Sequence, residues 1–448
     1  MSQNIITLGG SSRRNFLSGC AAVGGLSVLG SLPLNVFAQA GGRKTLKIGV
    51  VGTGGRGSGA ASDFLNAAKI VGESAQIWAV GDVFPYRTKG IAGHHNLPRE
   101  RVFNGFDAYK KVIDSGIDIV ILATPPGFRP LHIEYAIQKG VHVFAEKPVA
   151  TDAAGVNKVL AAGRLAQEKK LAIVAGTQRR HQTVYVETIK RIHDGIIGDL
   201  VGGQVYWNGG GIWYRGPKKE WTDIENQTNN WYHHNWLSGD NIVEQHVHNL
   251  DVINWAFNAH PTQAYTLGGR MTRKEPGDIY DHFAVEFTYP GDVRTLSFSR
   301  HVPGDDAVGE KIVGTKGVTN VGSGDIRDHK GKILWSYKDW KRENKPREIN
   351  AYVNEHVDLL KSILAGNPLN EAQAVAESTF NAIIGRESAY TGRRIRWDSA
   401  LATNFALVPE NITRDTPAPT ADSLRKVVIP LPGQWREVLG AKRGGKRK

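Results

Sequence analysis

The stretch Glu244-Gln245-His246-Val247-His248-Asn249-Leu250-Asp251 puts two imidazoles and two carboxylates within eight residues. An imidazole titrates near neutral pH and can take a proton from a reacting hydroxyl. A neighbouring carboxylate can orient it or hold a substrate hydroxyl. Glu-x-His-x-His is also a possible metal-ligand set, and His246 is equally readable as a buried structural histidine. A second patch, Ala145-Glu146-Lys147-Pro148-Val149-Ala150, directly follows a short apolar run. A buried ammonium beside a reacting hydroxyl lowers that hydroxyl's pKa and stabilises the charge it leaves behind. A third patch is Gly52-Thr53-Gly54-Gly55-Arg56-Gly57, a G-x-G-x-x-G pattern.

These patches are useful only if the chain places them together, and the flanking sequence indicates how. Leu46 to Val51 is apolar and reads as a buried strand, and Ser58 to Leu65 reads as a helix. In that context the three glycines allow a tight turn, close approach to a pyrophosphate, and close packing of helix on strand. The loop predicts dinucleotide contacts from Gly52, Gly54, Gly55, Arg56 and Gly57. A second strand, Gln76 to Gly81, ends at Asp82, where a carboxylate accepts ribose hydroxyls and disfavours a 2′-phosphate. NAD is therefore expected; Arg87 nearby leaves NADP open. Further strands at 117–123, 141–145 and 171–176 alternate with helices, so a doubly wound parallel sheet is expected over residues 44–178. Ligands bind beyond the carboxyl ends of such strands, where Thr124, Pro125, Glu146 and Lys147 fall.

Beyond residue 179 the texture changes. Segments 203–207, 281–289 and 294–299 alternate apolar and polar residues, as strands with one wet face do. An α+β domain with a large, open, mainly antiparallel sheet is expected over 179–400. Arg180 lies where the chain leaves the first domain. Residues 209–235 gather Trp213, Tyr214, Arg215, Trp221, Trp231, Tyr232, His233 and His234. Aromatic faces stack on the apolar faces of sugar rings, so the composition fits a carbohydrate cleft or, alternatively, a subunit interface. Tyr352–Leu364 and Glu371–Tyr390 read as scaffold helices.

Taken together, Glu146-Lys147-Pro148, the glycine loop and Ala123-Thr124-Pro125-Pro126 resemble the Gfo/Idh/MocA family of oxidoreductases, which includes glucose-fructose oxidoreductase and inositol dehydrogenase. The resemblance runs from about Lys44 to about Trp397. It implies that Lys147 touches both the nicotinamide ribose and the substrate, and that Pro148 sits in a fixed turn, often cis. The family pattern Asp-x-Gly-x-His-x-x-Asp lays its general-base histidine on His248 and its last aspartate on Asp251. Glu244 stands where the family has aspartate, and His246 where it has glycine. Catalytic roles are thus implied for Lys147, His248 and Glu244, and substrate contacts for Arg180, Tyr232 and Asp251. The resemblance requires no metal. It implies pairing of subunits, as a dimer or tetramer, through the outer face of the second sheet.

The ends of the chain carry a different message. Ser12-Arg13-Arg14-Asn15-Phe16-Leu17, a Gly/Ala-rich apolar stretch and Ala38-Gln39-Ala40 read as a twin-arginine signal peptide over residues 1–40. Such a signal exports folded proteins, which suits a cofactor loaded in the cytoplasm, and it predicts a periplasmic or secreted protein. The only cysteine, Cys20, falls in this leader. More than half of the +13 net charge sits in the leader and in the basic tail from residue 441. The rest is a mild excess without any nucleic-acid motif. No apolar run outside the leader approaches the length of a membrane span. Residues 401–448 read as an extension, with a short edge segment at 427–431. The chain therefore reads as an exported NAD(P)-dependent oxidoreductase moving hydride between a sugar or polyol hydroxyl and a tightly held nicotinamide. The alternative is a glycoside-cleaving enzyme that oxidises its sugar only transiently.

Overall fold

The computed structural model describes residues 45–419 and 431–432. The leader, the basic tail and all but the last residue of the 427–431 segment lie outside them. Six parallel strands form the first sheet: β1 (Leu46–Val51), β2 (Ala75–Asp82), β3 (Val102–Asn104), β4 (Ile119–Leu122), β5 (His142–Ala145) and β6 (Ile173–Ala175), in the order β3-β2-β1-β4-β5-β6. This is the doubly wound arrangement, with its topological switch between β1 and β4. Both faces are covered by helices, which is why β4 is four consecutive fully buried residues, Ile-Val-Ile-Leu.

The helix α1 (Gly55–Val71) lies against this sheet through Ala60, Ala61, Phe64, Ala67 and Ala68. Four of those five residues are alanines, so the helix axis can approach the strands closely. It ends at Gly72 in the left-handed conformation, φ 79°. The wall beside α1 comes from far along the chain. The helix α2 (Ala351–Leu364) buries Val357, Leu359, Leu360 and Ile363 in the same apolar cluster as Leu46, Ile48 and Phe64. The following residues run along the sheet edge. Ile173 donates to the Leu369 carbonyl at 2.9 Å, and Glu371 donates back to the Ile173 carbonyl at 2.8 Å. The cofactor domain is thus completed by residues from the second half of the sequence.

The second sheet has nine strands: β7 (Leu200–Gly209), β8 (Gln263–Gly269), β9 (His282–Tyr289), β10 (Val293–His301), β11 (Ala307–Gly314), β12 (Val318–Asn320), β13 (Asp325–Arg327), β14 (Ile333–Ser336) and β15 (Ile395–Arg396). Their order is β14-β13-β12-β11-β7-β10-β9-β8-β15. All neighbours are antiparallel except β7 and β10. One face is covered by helices. On β8 the opposite face shows Tyr265 and Leu267 to solvent between buried Ala264 and Thr266. The helix α3 (Ala372–Thr391) has no wet face over most of its length and buries Ser378, Asn381, Arg386 and Glu387. Arg386 is held by Glu387 and by the carbonyls of Thr151 and Gly239, so this buried charge is both paired and hydrogen-bonded. Among the described residues, no helix is long and apolar enough to cross a membrane.

Candidate active site

The glycine loop has the geometry that a dinucleotide needs. Gly52 has φ +88°, and a Cβ there would come within 2.6 Å of the Ala123 backbone. A Cβ on Gly57 would lie 1.9 Å from the Gly52 carbonyl oxygen, so only glycine permits this helix–strand contact. Gly55 faces open space. The N-cap of α1 is Gly54, with no side chain to cap the first turn, so the amides there are free to bind an anion such as a pyrophosphate.

Asp82 closes the other side of the loop. Its Oδ2 accepts from the Thr53 amide (2.8 Å) and the Thr53 hydroxyl (3.3 Å), and its Oδ1 from the Phe84 amide (3.0 Å). With three of about four acceptor positions filled, one remains on Oδ1 for a ribose hydroxyl. Burial raises the Asp82 pKa, and the amide donors offset part of that rise. A cavity of about 290 Å³ opens beside it, lined by Gly52, Gly54, Asp82, Arg87, Thr124 and Pro125. Five of the predicted cofactor residues, Gly52, Gly54, Asp82, Thr124 and Pro125, thus line one crevice, whereas Gly55, Arg56 and Gly57 do not.

At the end of β5 the chain delivers Glu146 and Lys147. The Lys147–Pro148 bond is cis. Arg56 pairs with Glu146 (Nε–Oε1 2.7 Å) and with Asp63 (3.0 Å), which ties the glycine loop to the Glu-Lys-Pro turn. Lys147 points across to the second domain. Its Nζ donates to the Glu244 carbonyl oxygen at 2.6 Å and to Glu244 Oε1 at 3.2 Å. The other oxygen, Oε2, is buried and makes no hydrogen bond of ordinary geometry.

Glu244 is held there by the residue that starts its short helix, Asn241–Glu244. Asp240 has φ +74°, a conformation costly for a non-glycine residue. Its carboxylate offsets that cost by accepting from the Asn241 amide (2.6 Å), the Tyr280 amide (2.7 Å) and the Tyr390 hydroxyl (2.6 Å). Tyr232 is buried beside Glu244, and burial together with that carboxylate pushes its phenol pKa well up. Behind it, the Tyr232 hydroxyl lies 3.5 Å from His301 Nε2, and Arg273 donates to His301 Nδ1 at 3.0 Å.

His248 lies stacked on Trp207, ring centres 5.8 Å apart, with Nδ1 buried and unpartnered. Burial, and then the positive charges of Lys147 and Arg179, hold its pKa well below 6.5. It is therefore neutral at physiological pH, the form that accepts a proton. His246 points elsewhere and bonds to the Ser297 hydroxyl at 2.7 Å. Among the described residues, no group of three or more His, Cys, Asp or Glu is assembled to hold a metal ion.

Arg180 and Asp251, both predicted to contact substrate, are bound to each other. Arg180 Nε and Nη2 engage the carboxylate at 2.8–3.1 Å, and Ser378 adds a 2.7 Å bond. Asp251 is 1% exposed. The pair, with Asp251 buried and Arg180 partly so, is a strut between the interdomain connection and the His248 helix. The aromatic-rich segment also divides. Trp213 and Trp231 stay near Tyr232 and His233, whereas Trp221 stacks on Phe84 of the first domain at 4.5 Å. Within the segment, Asp223–Asn229 is helical with a Thr222/Glu225 capping box.

Two groups in the site escape sequence reasoning. Arg129 is fully buried, donates to the Pro148 carbonyl and faces the charges of Glu146 and Glu244; burial lowers its pKa to about 10. Its one sequence signal is a cation in the apolar stretch after Pro125-Pro126. Arg179 pairs with Glu310 at 2.5 Å, and Asn249 donates to the same oxygen at 2.8 Å. That pairing spans 131 residues, and no local pattern announces it.

Known proteins resemble this chain in sequence and in fold. Residues 46–177 match the family model described as "Oxidoreductase family, NAD-binding Rossmann fold", and residues 185–319 match the "GFO/IDH/MocA C-terminal domain". The chain is 24% identical over 281 residues to inositol 2-dehydrogenase from Acidothermus cellulolyticus, covering 62% of this chain and 74% of that protein. It is 25% identical over 329 residues to inositol 2-dehydrogenase from Paracoccus denitrificans, covering 72% and 87%. The fold is similar to that of scyllo-inositol dehydrogenase from Lactobacillus casei, solved with NAD(H) and scyllo-inositol. The TM-score is 0.59 at 20% identity, over 79% of this chain and 100% of that one.

Proposed function

The chain belongs to the Gfo/Idh/MocA oxidoreductase family, and from that premise we propose that it transfers hydride between a sugar or polyol hydroxyl and NAD. NAD held on the glycine loop supplies the hydride acceptor. The chain's own residues do the rest. Lys147 presents its ammonium at the end of β5 and lowers the pKa of the hydroxyl beside it. Glu244 Oε2, buried and without a hydrogen bond of ordinary geometry, accepts one from a substrate hydroxyl. His248, neutral and desolvated, takes the proton. Tyr232 walls the pocket beside Glu244. Arg180 and Asp251 act by positioning the helix that carries His248.

The observation that carries this reading is the contact between Lys147 and Glu244, which brings a residue at the cofactor strand end to the His248 cluster. The test is to purify the protein, identify bound nicotinamide by mass spectrometry, and follow NADH formation and products with a panel of inositols, aldoses and glycosides. The inositol 2-dehydrogenases among its relatives make cyclic polyols the first substrates to try. NADH appearing with a ketone product supports the proposal. Aglycone release with no change in net redox state would overturn it in favour of transient oxidation.

We also propose export through the twin-arginine signal at Arg13-Arg14, and homo-oligomers formed through the open sheet face that displays Tyr265 and Leu267. Outside the cytoplasm free NAD is scarce, so the cofactor would have to stay bound and be recycled by a second substrate. Replacing Arg13 and Arg14 with lysine, followed by cell fractionation, tests the first. Sedimentation of Leu267→Asp tests the second.

A further inference from the structure

The mouth of the adenosine crevice is crossed by two segments from the second half of the chain. The first is the stretch from residue 213 to Trp231. Its Trp221 ring stacks on Phe84 at 4.5 Å and on Tyr86 at 6.2 Å, with interplanar angles of 22° and 12°. Asn229 accepts from the Tyr86 hydroxyl at 2.8 Å and from Arg87 at 3.4 Å. Every one of these partners lies in the five residues after Asp82. The second segment follows the end of the nine-stranded domain. The Phe405 carbonyl accepts from the Ala154 amide at 3.0 Å, and the Leu407 and Val408 amides both donate to buried Asp152, at 2.6 and 3.3 Å. From that anchor the chain reaches the crevice, where Asn411 and Ile412 line the same cavity as Gly54, Asp82 and Pro125. Ile412 and Trp231 join a small apolar cluster around Phe128, Ile224 and Trp236. Arg414 then pairs with Glu225 at 3.1 Å, which fastens one segment to the other.

We propose that residues 405–414 and the Trp221–Trp231 segment form a clasp over the adenosine half of a dinucleotide, with Ile412 and Trp231 as its apolar walls. This rests on the reading that NAD binds on the glycine loop. The ribose position is set by Asp82 and the pyrophosphate by the α1 N-terminus, so the adenine lies further along, between the Asp82 loop and Thr124-Pro125. That is the space these residues close. A dinucleotide can leave only if the Trp221 stack or the Arg414–Glu225 tie opens first. The clasp therefore slows release and makes the cofactor resident.

The test measures NADH release from the full-length protein, by stopped-flow fluorescence with excess NAD as the chase. Trp221→Ala and Ile412→Ser are each expected to speed release about tenfold, the scale of one lost aromatic or apolar contact. Arg414→Glu lies on the surface and leaves the core untouched; it is expected to speed release severalfold. Faster release in Arg414→Glu together with either other variant supports the clasp. Release within about twofold of the wild type in all three overturns it while leaving NAD binding intact. A wild-type protein that binds no NADH at all would sink the dinucleotide reading itself, and the clasp with it.

Discussion

Lys147 Nζ lies 2.6 Å from the carbonyl oxygen and 3.2 Å from the Oε1 of Glu244, a residue 97 positions along the chain. The ammonium is thus fixed by two acceptors on one residue, and Glu244 Oε2 makes no hydrogen bond of ordinary geometry.

Lys147→Met should lower kcat/KM about a thousandfold, the scale of losing one acid–base or electrostatic group in a closed site. Lys147→Arg should not restore it, because a planar guanidinium cannot replace a compact ammonium between these two acceptors. Steady-state kinetics with bound nicotinamide measured in parallel checks both. Glu244→Gln keeps the shape and removes the charge, and should cost about tenfold to a hundredfold. Full activity in either Lys147→Met or Glu244→Gln would remove the centre of the proposed site.

The pH profile reports on His248. Burial and the cations Lys147 and Arg179 hold its pKa well below 6.5, so the wild-type enzyme should show no acid limb from this group near pH 6.5. Arg179→Gln removes one of those charges, which must raise the imidazole pKa and move the acid limb upward. A profile unchanged by Arg179→Gln, in a protein with normal melting behaviour, would show that His248 does not set the limb.

On the proposed reading, the Asp82 carboxylate sets the choice of cofactor. Asp82→Ser removes the charge that repels a 2′-phosphate while keeping a hydroxyl for the Thr53 amide. The ratio of kcat/KM for NADP over NAD should rise at least about tenfold, with Arg87 available to the phosphate. An unchanged ratio would place the ribose elsewhere.

His181 predicts a pH-dependent stability. Burial alone would lower its pKa, but the carboxylates of Glu371 and Asp358 outweigh that and push it up to about 10. Nδ1 lies 2.8 Å from Asp358 and Nε2 3.3 Å from Glu371. In the folded protein the ring stays charged above pH 6.5, where the unfolded chain has lost the proton. The stabilisation is complete below pH 6.5 and disappears as pH rises through about 10. The wild type should therefore lose melting temperature between pH 7 and 10 more steeply than His181→Gln does. Parallel slopes would refute the ion-pair account.

Much of the molecule can be read from residue order because burial writes itself locally. A strand covered on both faces must be continuously apolar, and Ile119–Leu122 is. The glycine loop and Asp82 are legible for a similar reason: close approach and a tight turn exclude other residues at fixed spacing. What stays hidden is partner choice. The amphipathic period of Ala351–Leu364 shows that one face is covered, but not that the covering surface is α1 of the cofactor domain. Aromatic composition draws attention to residues 209–235, yet only the fold sends Trp221 to Phe84 rather than into the pocket. Arg180 and Asp251 are charged residues on separate elements, and a candidate substrate contact cannot be told from half of a strut until the two are seen 2.8 Å apart.

Because Val357, Leu359 and Leu360 complete the apolar cluster beneath α1, the nucleotide-binding half is not a cassette that can be cut out at residue 178. A ribosome that has delivered only those residues has made a sheet on which α1 is packed but the flank of its apolar cluster is still open. The segment must wait, or be shielded, until roughly two hundred further residues emerge and one of their helices comes back to seal it. Recombination that exchanged the first half alone would have to find a new partner for that flank.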